Sequence, residues 1–477
     1  MKAPFSPYLN EIRDPLKKLI DILSGTYTYV SVLSTDSRGF AIRVSQHVRT
    51  VEGRTMTTER GTVVRVYRDG LYSEYAFNEL DPERISEKAE EIRTALDAQL
   101  KLLAQTGTAV YETPPLPDEP LALLSEMETG SLPEDADFDA LIADLAGVSD
   151  AACAAGPDVI ECQVAAQSTH ICKMFLTKQR DLRQSYVYSE AVLAAVAVKD
   201  GRSEMAHEGV SGRIGPELFF ELSGKVAETV QAAEEMLTAE RVEPGEYDII
   251  TSPEVTGLIA HEAFGHGVEM DMFVKGRALG ADYIGRRVGS DLVTMHEGAL
   301  CAENVTSYAF DDEGTPAGDV TEIDRGILKT GICDAISAAR LGVQPTGNGK
   351  RENFEHKVYT RMTNTLFDSG TSSLEEMIAS VSHGFLLKGM QSGMEDPKHW
   401  GIQCMIERGY EIRDGKLTGR VMAPILMTGY VPDLLGSVSM VSADRQVFGN
   451  GGCGKGHKEW VKVADGGPVL KAKARLG

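Results

Sequence analysis

Apolar residues recur along this chain at two periods, and the balance between the periods changes near residue 245. Ile85, Ala89, Ile92, Leu96, Leu100 and Leu103 lie three and four positions apart. That spacing gathers them on one face and predicts a helix, with Asp81 as its N-cap and Pro82 at its first position. Phe219, Leu222, Val226, Val230, Ala233 and Leu237 make a similar stripe and predict a helix over 216–240. Residues 8–23 also read as helix, although Pro15 removes a backbone donor there. Residues 27–80 and 184–198 read as strands, with Asp69-Gly70 and Asp200-Gly201 as their turns. Residues 112–136, acidic and rich in proline, predict a loop or linker.

Beyond Val242-Glu243-Pro244-Gly245 the chain reads as strands and turns. Asp324-Arg325-Gly326 and Arg413-Asp414-Gly415 each sit between apolar runs. Leu470, Ala472, Ala474 and Leu476 alternate with Lys471, Lys473 and Arg475, as in a half-exposed strand. One short helix is expected from Ser373 to Ser382. The expected class is α+β: a mixed α/β domain over 1–243, then a strand-rich domain over 244–477.

Length supports this division, since 477 residues exceed what one compact domain usually holds. The net charge of −23 leaves no basic footprint, so direct nucleic-acid binding is not expected. Residues 102–172 hold 13 Asp and Glu and no Lys or Arg, which predicts a solvated segment. The first residues lack the charge and apolar pattern of a leader, and no run is long and apolar enough to span a membrane. The seven cysteines are scattered and odd in number, as expected of free thiols in a reducing cytoplasm.

The chemistry concentrates in Tyr247–Asp271. A strand over Tyr247-Asp248-Ile249-Ile250 leads into a helix capped by Ser252 and begun by Pro253. That helix delivers His261-Glu262-Ala263-Phe264-Gly265-His266. Neutral imidazoles bind zinc, and a neighbouring Glu can take a proton from zinc-activated water. The spacing is i, i+5, however, and a regular helix would splay the two rings by roughly 140°. A shared metal therefore demands a π-bulge or an unwound last turn, which Gly265 would tolerate. Gly257 and Gly265 flank His261 and suit a close approach by substrate backbone. A catalytic zinc needs a third protein ligand. Glu269, Asp271 and Cys453 are the candidates, the last within Gly449-Asn450-Gly451-Gly452-Cys453-Gly454-Lys455-Gly456. Cys162, Cys172 and the remaining cysteines have no such setting and read as packing residues.

The run His261 to Gly267 resembles the H-E-x-x-x-H helix of the TldD branch of the TldD/PmbA peptidases. Ser337-Ala338-Ala339-Arg340, Pro345 to Gly349, Arg361 to Thr365 and Cys453-Gly454-Lys455-Gly456 follow in that family's order. Gly61 to Leu80 is similar as well. The resemblance implies zinc held by His261, His266 and Cys453, with Glu262 as general base. It implies a cytoplasmic dimer cutting short or unfolded peptides in a closed chamber, with a PmbA/TldE-like subunit or itself as partner. His457 departs from the family pattern and becomes a candidate polar group at the site. Lys455, His457, Arg361 and Asn364 are candidate oxyanion donors, Arg361 and Asn364 equally candidates for tying turns together. Binding of peptide main chain by strand addition would suit broad specificity. The competing readings are a non-catalytic partner subunit and a thiol protein built around Cys453.

Overall fold

The computed structural model describes residues 1–105, 113–455 and 458–477. Two large sheets dominate, one on each side of residue 245.

The first sheet is built from β1 (Tyr29–Val44), β2 (Arg49–Glu52), β3 (Arg60–Arg68), β4 (Leu71–Phe77), β5 (Leu121–Glu126), β6 (Val159–Leu176), β7 (Arg180–Lys199) and β8 (Arg202–Gly212). Its order is β4-β3-β1-β6-β7-β5, with β2 on β1 and β8 on β7. Asp69-Gly70 and Asp200-Gly201 make the hairpin turns with positive φ at both residues, as the sequence requires. Side-chain alternation divides the faces. Even-numbered residues of β6 (Cys172, Met174, Leu176) pack with α1 (Pro7–Leu23) and α2 (Ile85–Gln105). Cys162, Val164 and Ala166 pack with α3 (Phe138–Ala155) and α4 (Val226–Met236). Odd-numbered Ile171 and Phe175 instead meet Val305, Tyr308 and Phe310 from the second half.

The helices refine the sequence expectations. Ser6 caps α1, and the helix runs through Pro15. Asp81 caps a 3-10 turn over Pro82–Arg84, and α2 proper starts at Ile85. Of its expected face, Leu103 is 37% exposed. The expected helix over 216–240 starts as a 3-10 segment, Pro216–Lys225, and becomes α-helical only at Val226. The acidic stretch expected to be loop and solvated chain holds β5, α3 and most of β6. β5 pairs in parallel with β7. α3 buries Leu141, Leu145 and Ala152 while its first-turn acids cap and face outward.

The second sheet begins with β9 (Gly245–Thr251). Residues Ala464–Leu476 form its centre, pairing with β9, Asn364–Phe367, Ile425–Tyr430 and Met440–Phe448. β9 pairs onward with His383–Asp396, that strand with Gly401–Arg413, and that in turn with Ile425–Tyr430. Those five strands thus close on themselves. The turns at 324–326 and 413–415 adopt positive φ at Arg325, Gly326, Asp414 and Gly415. Leu374–Ala379 is the expected short helix, closed by a capping box between Ser373 and Glu376.

Ion pairs join the halves. Arg65 on β3 holds Glu313, Arg351 Nη2 lies 2.5 Å from Glu74 on β4, and Lys462 Nζ lies 2.6 Å from Glu190 on β7.

Candidate metal centre

The site grows from α5 (Pro253–Ala260), which follows β9 directly. Every residue from Val255 to Ala260 is buried, so the helix is enclosed on all sides and is fixed by packing rather than by its cap. Ser252 Oγ makes no cap bond. Gly257 is required because α5 crosses the backbone at Gly466; a Cβ there would lie 2.6 Å from Gly466 N. This glycine accommodates the protein's own strand, not a substrate as its spacing from His261 suggested.

At His261 the helix widens. Residues 261–265 form one π-helical turn, closed by His266 N–H donating to His261 O at 3.1 Å. The extra residue per turn brings the two histidines to one side, with ring centroids 5.0 Å apart and planes at 89°. Gly265 serves this turn sterically, since a Cβ would lie 2.2 Å from Met362 Sδ. The antiparallel pairing of strand Gly452–Lys455 with strand Lys458–Lys462 brings up Cys453. Its Sγ lies 3.2 Å from His266 Nε2. One ligand atom from each of His261, His266 and Cys453 lies within 4.8 Å of the others.

Glu262 is buried beside them, 6% exposed, and faces Gly393, where a Cβ would stand 2.5 Å from its Cγ. Burial lifts its carboxyl above the usual range, and His261 and His266 partly offset this. Burial also disfavours the Cys453 thiolate, but the two imidazoles outweigh it and draw the thiol down to about 4.

A ring of charge surrounds the triad. His266 Nδ1 is 3.3 Å from Glu269 Oε2. His261 Nδ1 has no hydrogen-bond partner and is 3.8 Å from Asp465 Oδ2. Burial lifts Asp465 to about 6 against the pull of His261. Lys455 Nζ bridges Asp271 at 2.7 Å and Glu269 at 3.0 Å. Burial raises the Glu269 carboxyl, yet Lys455, His266 and Arg361 hold it well below the usual range. Glu269 and Asp271, the alternative third ligands, are thus engaged by cations outside the triad.

The other sequence candidates fall elsewhere. Arg361 is fully buried and donates to the carbonyls of Cys453, at 3.0 Å, and Glu459. Asn364 accepts from Thr306 and donates to Gly298 O, Ala302 O and Ser307 Oγ, tying turns together. Lys455 is committed to its two carboxylates. His457 lies outside the described residues.

The triad opens on a cavity of about 640 Å³ walled by Met390–Glu395, Leu258, Met272 and Trp460. Sequence reasoning missed Glu395 in this wall. Both of its carboxyl oxygens are buried without partners, and burial pushes it up to about 9. It lies far from the motif along the chain and in no recognisable pattern, so nothing in the sequence marked it.

Residues 244–465 match the PmbA/TldA metallopeptidase C-terminal domain. The chain is 33% identical to a metalloprotease of Methanocaldococcus jannaschii over 50% of its length and 52% of that protein's. It is 31% identical to a zinc metalloprotease TldD homolog of Saccharolobus solfataricus, over 48% of this chain and 51% of the relative. In both cases the match spans about half of the relative. A metalloprotease of Methanothermobacter thermautotrophicus is 27% identical over 95% of this chain and 94% of its own. The crystal structure of TldE from Thermococcus kodakarensis superposes with a TM-score of 0.78 at 18% identity, covering 97% of this chain and 100% of that one, and so shares the fold. The C-terminal half of the chain thus matches the PmbA/TldA metallopeptidase domain, and the chain as a whole is similar to metalloproteases and TldD homologs.

Proposed function

We propose that the protein is a zinc metallopeptidase of the TldD branch, with His261, His266 and Cys453 as zinc ligands and Glu262 as general base. The observation that carries this reading is the meeting of two imidazoles and a thiol within 4.8 Å. Tetrahedral zinc with ligands at about 2.0–2.3 Å would separate nitrogen from sulfur by ~3.5 Å, and Cys453 Sγ and His266 Nε2 stand 3.2 Å apart. Carboxylates facing both Nδ1 atoms suit imidazoles that bind metal through the other nitrogen. The ion, when bound, lowers the pKa of water and polarises a carbonyl.

The chain's own residues do the rest. Glu262, held beside the triad by Gly393, accepts the proton of the attacking water and passes it to the leaving amine. Strand His383–Asp396 pairs with Gly401–Arg413 along one edge, but with β9 only over Gly384–Leu387. Its other edge over 388–396 therefore borders the cavity without a strand partner among the described residues. A short or unfolded peptide added there would be held by main-chain hydrogen bonds, whatever its sequence.

The wider reading is a cytoplasmic enzyme with its catalytic half over 244–477 and an N-terminal domain over 1–243. A TldE/PmbA-like subunit, or a second copy, would close the chamber. The TldE likeness and the seven free cysteines support this. The intact Glu262 favours catalysis over the role of a non-catalytic partner subunit.

Zinc content and cleavage of an unfolded peptide, measured with and without a partner subunit, test the proposal. Glu262→Gln should retain zinc and lose about a hundredfold or more in turnover. Cys453→Ala should lose the metal. Full zinc stoichiometry in Cys453→Ala would remove Cys453 from the ligand set, and zinc-loaded wild type without cleavage under either condition would favour the partner-subunit reading.

A further inference from the structure

The cavity over the triad carries apolar surface from Leu258, Met272, Met390, Met394 and Trp460. Leu258 is buried, and Met390 packs on the core of the second half. Met394 and Trp460 differ from them, being 62% and 47% exposed. A single exposed apolar residue needs no explanation. These two, however, reach one cavity from different strands, His383–Asp396 and Lys458–Lys462. Each also stands beside a group of the proposed reaction. Met394 follows Gly393, which touches the Glu262 side chain. Trp460 lies against Gly452, where a Cβ would stand 2.7 Å from its Nε1, and Gly452 precedes Cys453.

Charge points the same way. Glu262, Glu269, Glu395 and Asp465 line the cavity. Among the described residues of its wall, Lys455 is the one lysine or arginine, and Asp271 and Glu269 hold it. No basic side chain of that wall is left to receive an acidic residue. Main-chain pairing along the free edge over 388–396 would set the register of a peptide, and the side-chain surfaces beside it would then select among sequences.

We propose that the cavity selects peptides with a large apolar residue, such as leucine or phenylalanine, within two residues of the scissile bond, and that Met394 and Trp460 bind that side chain. The assignment presupposes the peptidase reading given above. The unbranched thioether of methionine adapts to apolar groups of different shape, and the indole adds a broad flat wall. Selection is therefore for apolar bulk rather than for one amino acid. Folded proteins bury most such residues, so an accessible one marks a chain as unfolded.

The test uses full-length, zinc-loaded protein, with its partner subunit where cleavage needs one. Its substrates are short peptides with leucine, or asparagine of similar size, at each position within two residues of the cut. The ratio of kcat/KM between paired peptides is read in one enzyme preparation, so it does not depend on the fraction of active protein. At one position or more the leucine peptide should be cleaved at least about tenfold better. Met394→Ser and Trp460→Ser, both at exposed positions, should each lower that ratio by about threefold or more and keep wild-type zinc content. Equal kcat/KM for leucine and asparagine at every position would overturn this inference and leave the peptidase reading standing. A ratio unchanged in both variants would overturn it as well, and would assign the two side chains to a contact with a partner subunit. No cleavage of any peptide would overturn the peptidase reading and this inference with it.

Discussion

Glu269 Oε2 lies 3.3 Å from Nδ1 of His266, and Lys455 Nζ meets the same oxygen at 3.0 Å. The carboxylate thereby fixes the ring's orientation and leaves Nε2 for Cys453's side of the pocket. Carboxylates in this position usually contribute about 10–100-fold to metal affinity. Glu269→Gln should bind zinc weaker by that factor, as read by competition with a chromophoric chelator. An unchanged affinity would show that packing alone orients His266.

Gly393 touches the Glu262 side chain, and a methyl group there would stand 2.5 Å from Glu262 Cγ. Gly393→Ala should displace the carboxylate without disturbing the triad. A misplacement of about 1 Å costs roughly a hundredfold in turnover. The expected outcome is full zinc content with kcat down by about that factor. Loss of zinc in the same variant would contradict the assignment of the clash to Glu262.

Arg361 has no exposed surface and carries the carbonyl of Cys453. Its Nε lies 3.5 Å from Glu269 Oε1. Arg361→Leu strips a buried carboxylate and two carbonyls of a partner, which typically costs about 3–5 kcal/mol. Urea denaturation of the full-length protein should show that loss, with zinc affinity falling in parallel.

Glu74 on β4 pairs with Arg65 on β3, at 2.6 Å, and reaches the second half through Arg351, at 2.5 Å. Burial alone would raise its carboxyl, but the two guanidinium groups lower it from 4.5 to about 2. Its contribution to stability is thus present above the unfolded value of 4.5 and is lost as pH falls through about 2. Urea midpoints should fall over that window, and Glu74→Gln should be less stable at neutral pH yet flatter towards acid. Parallel acid limbs in the two proteins would assign the loss to other carboxylates.

The same contrast explains what could be read from the sequence. Local geometry was legible. The i, i+5 spacing of His261 and His266 cannot meet on a regular helix, so a widened turn followed from the histidines alone, and the π-turn supplies it. The stripes of α2 and α4 and the hairpin turns at Asp69-Gly70 and Asp200-Gly201 were equally local. α3 was legible in principle, because Leu141, Leu145 and Ala152 recur at helical spacing. The acids around them, Asp137, Asp139, Asp144 and Asp150, give the same stretch the composition of solvated chain. Partnerships across long separations were not legible. Nothing near Lys455 indicates that it serves Glu269 and Asp271, and nothing near Glu395 places it opposite His266. The reason offered for Gly257 failed likewise, since Gly466 meets it from a strand about two hundred residues away.

That strand, Ala464–Leu476, has a consequence for the order of assembly. It supplies Asp465 beside His261, the backbone beneath Gly257 and the partner that closes the five-strand ring, and Cys453 lies just before it. A growing chain carries the residues of α5 and its π-turn long before these pieces exist. Loop closure over such a distance makes the completed pocket a late event of folding. A ribosome-bound fragment that stops short of Cys453 should thus carry both histidines without the thiol that meets them.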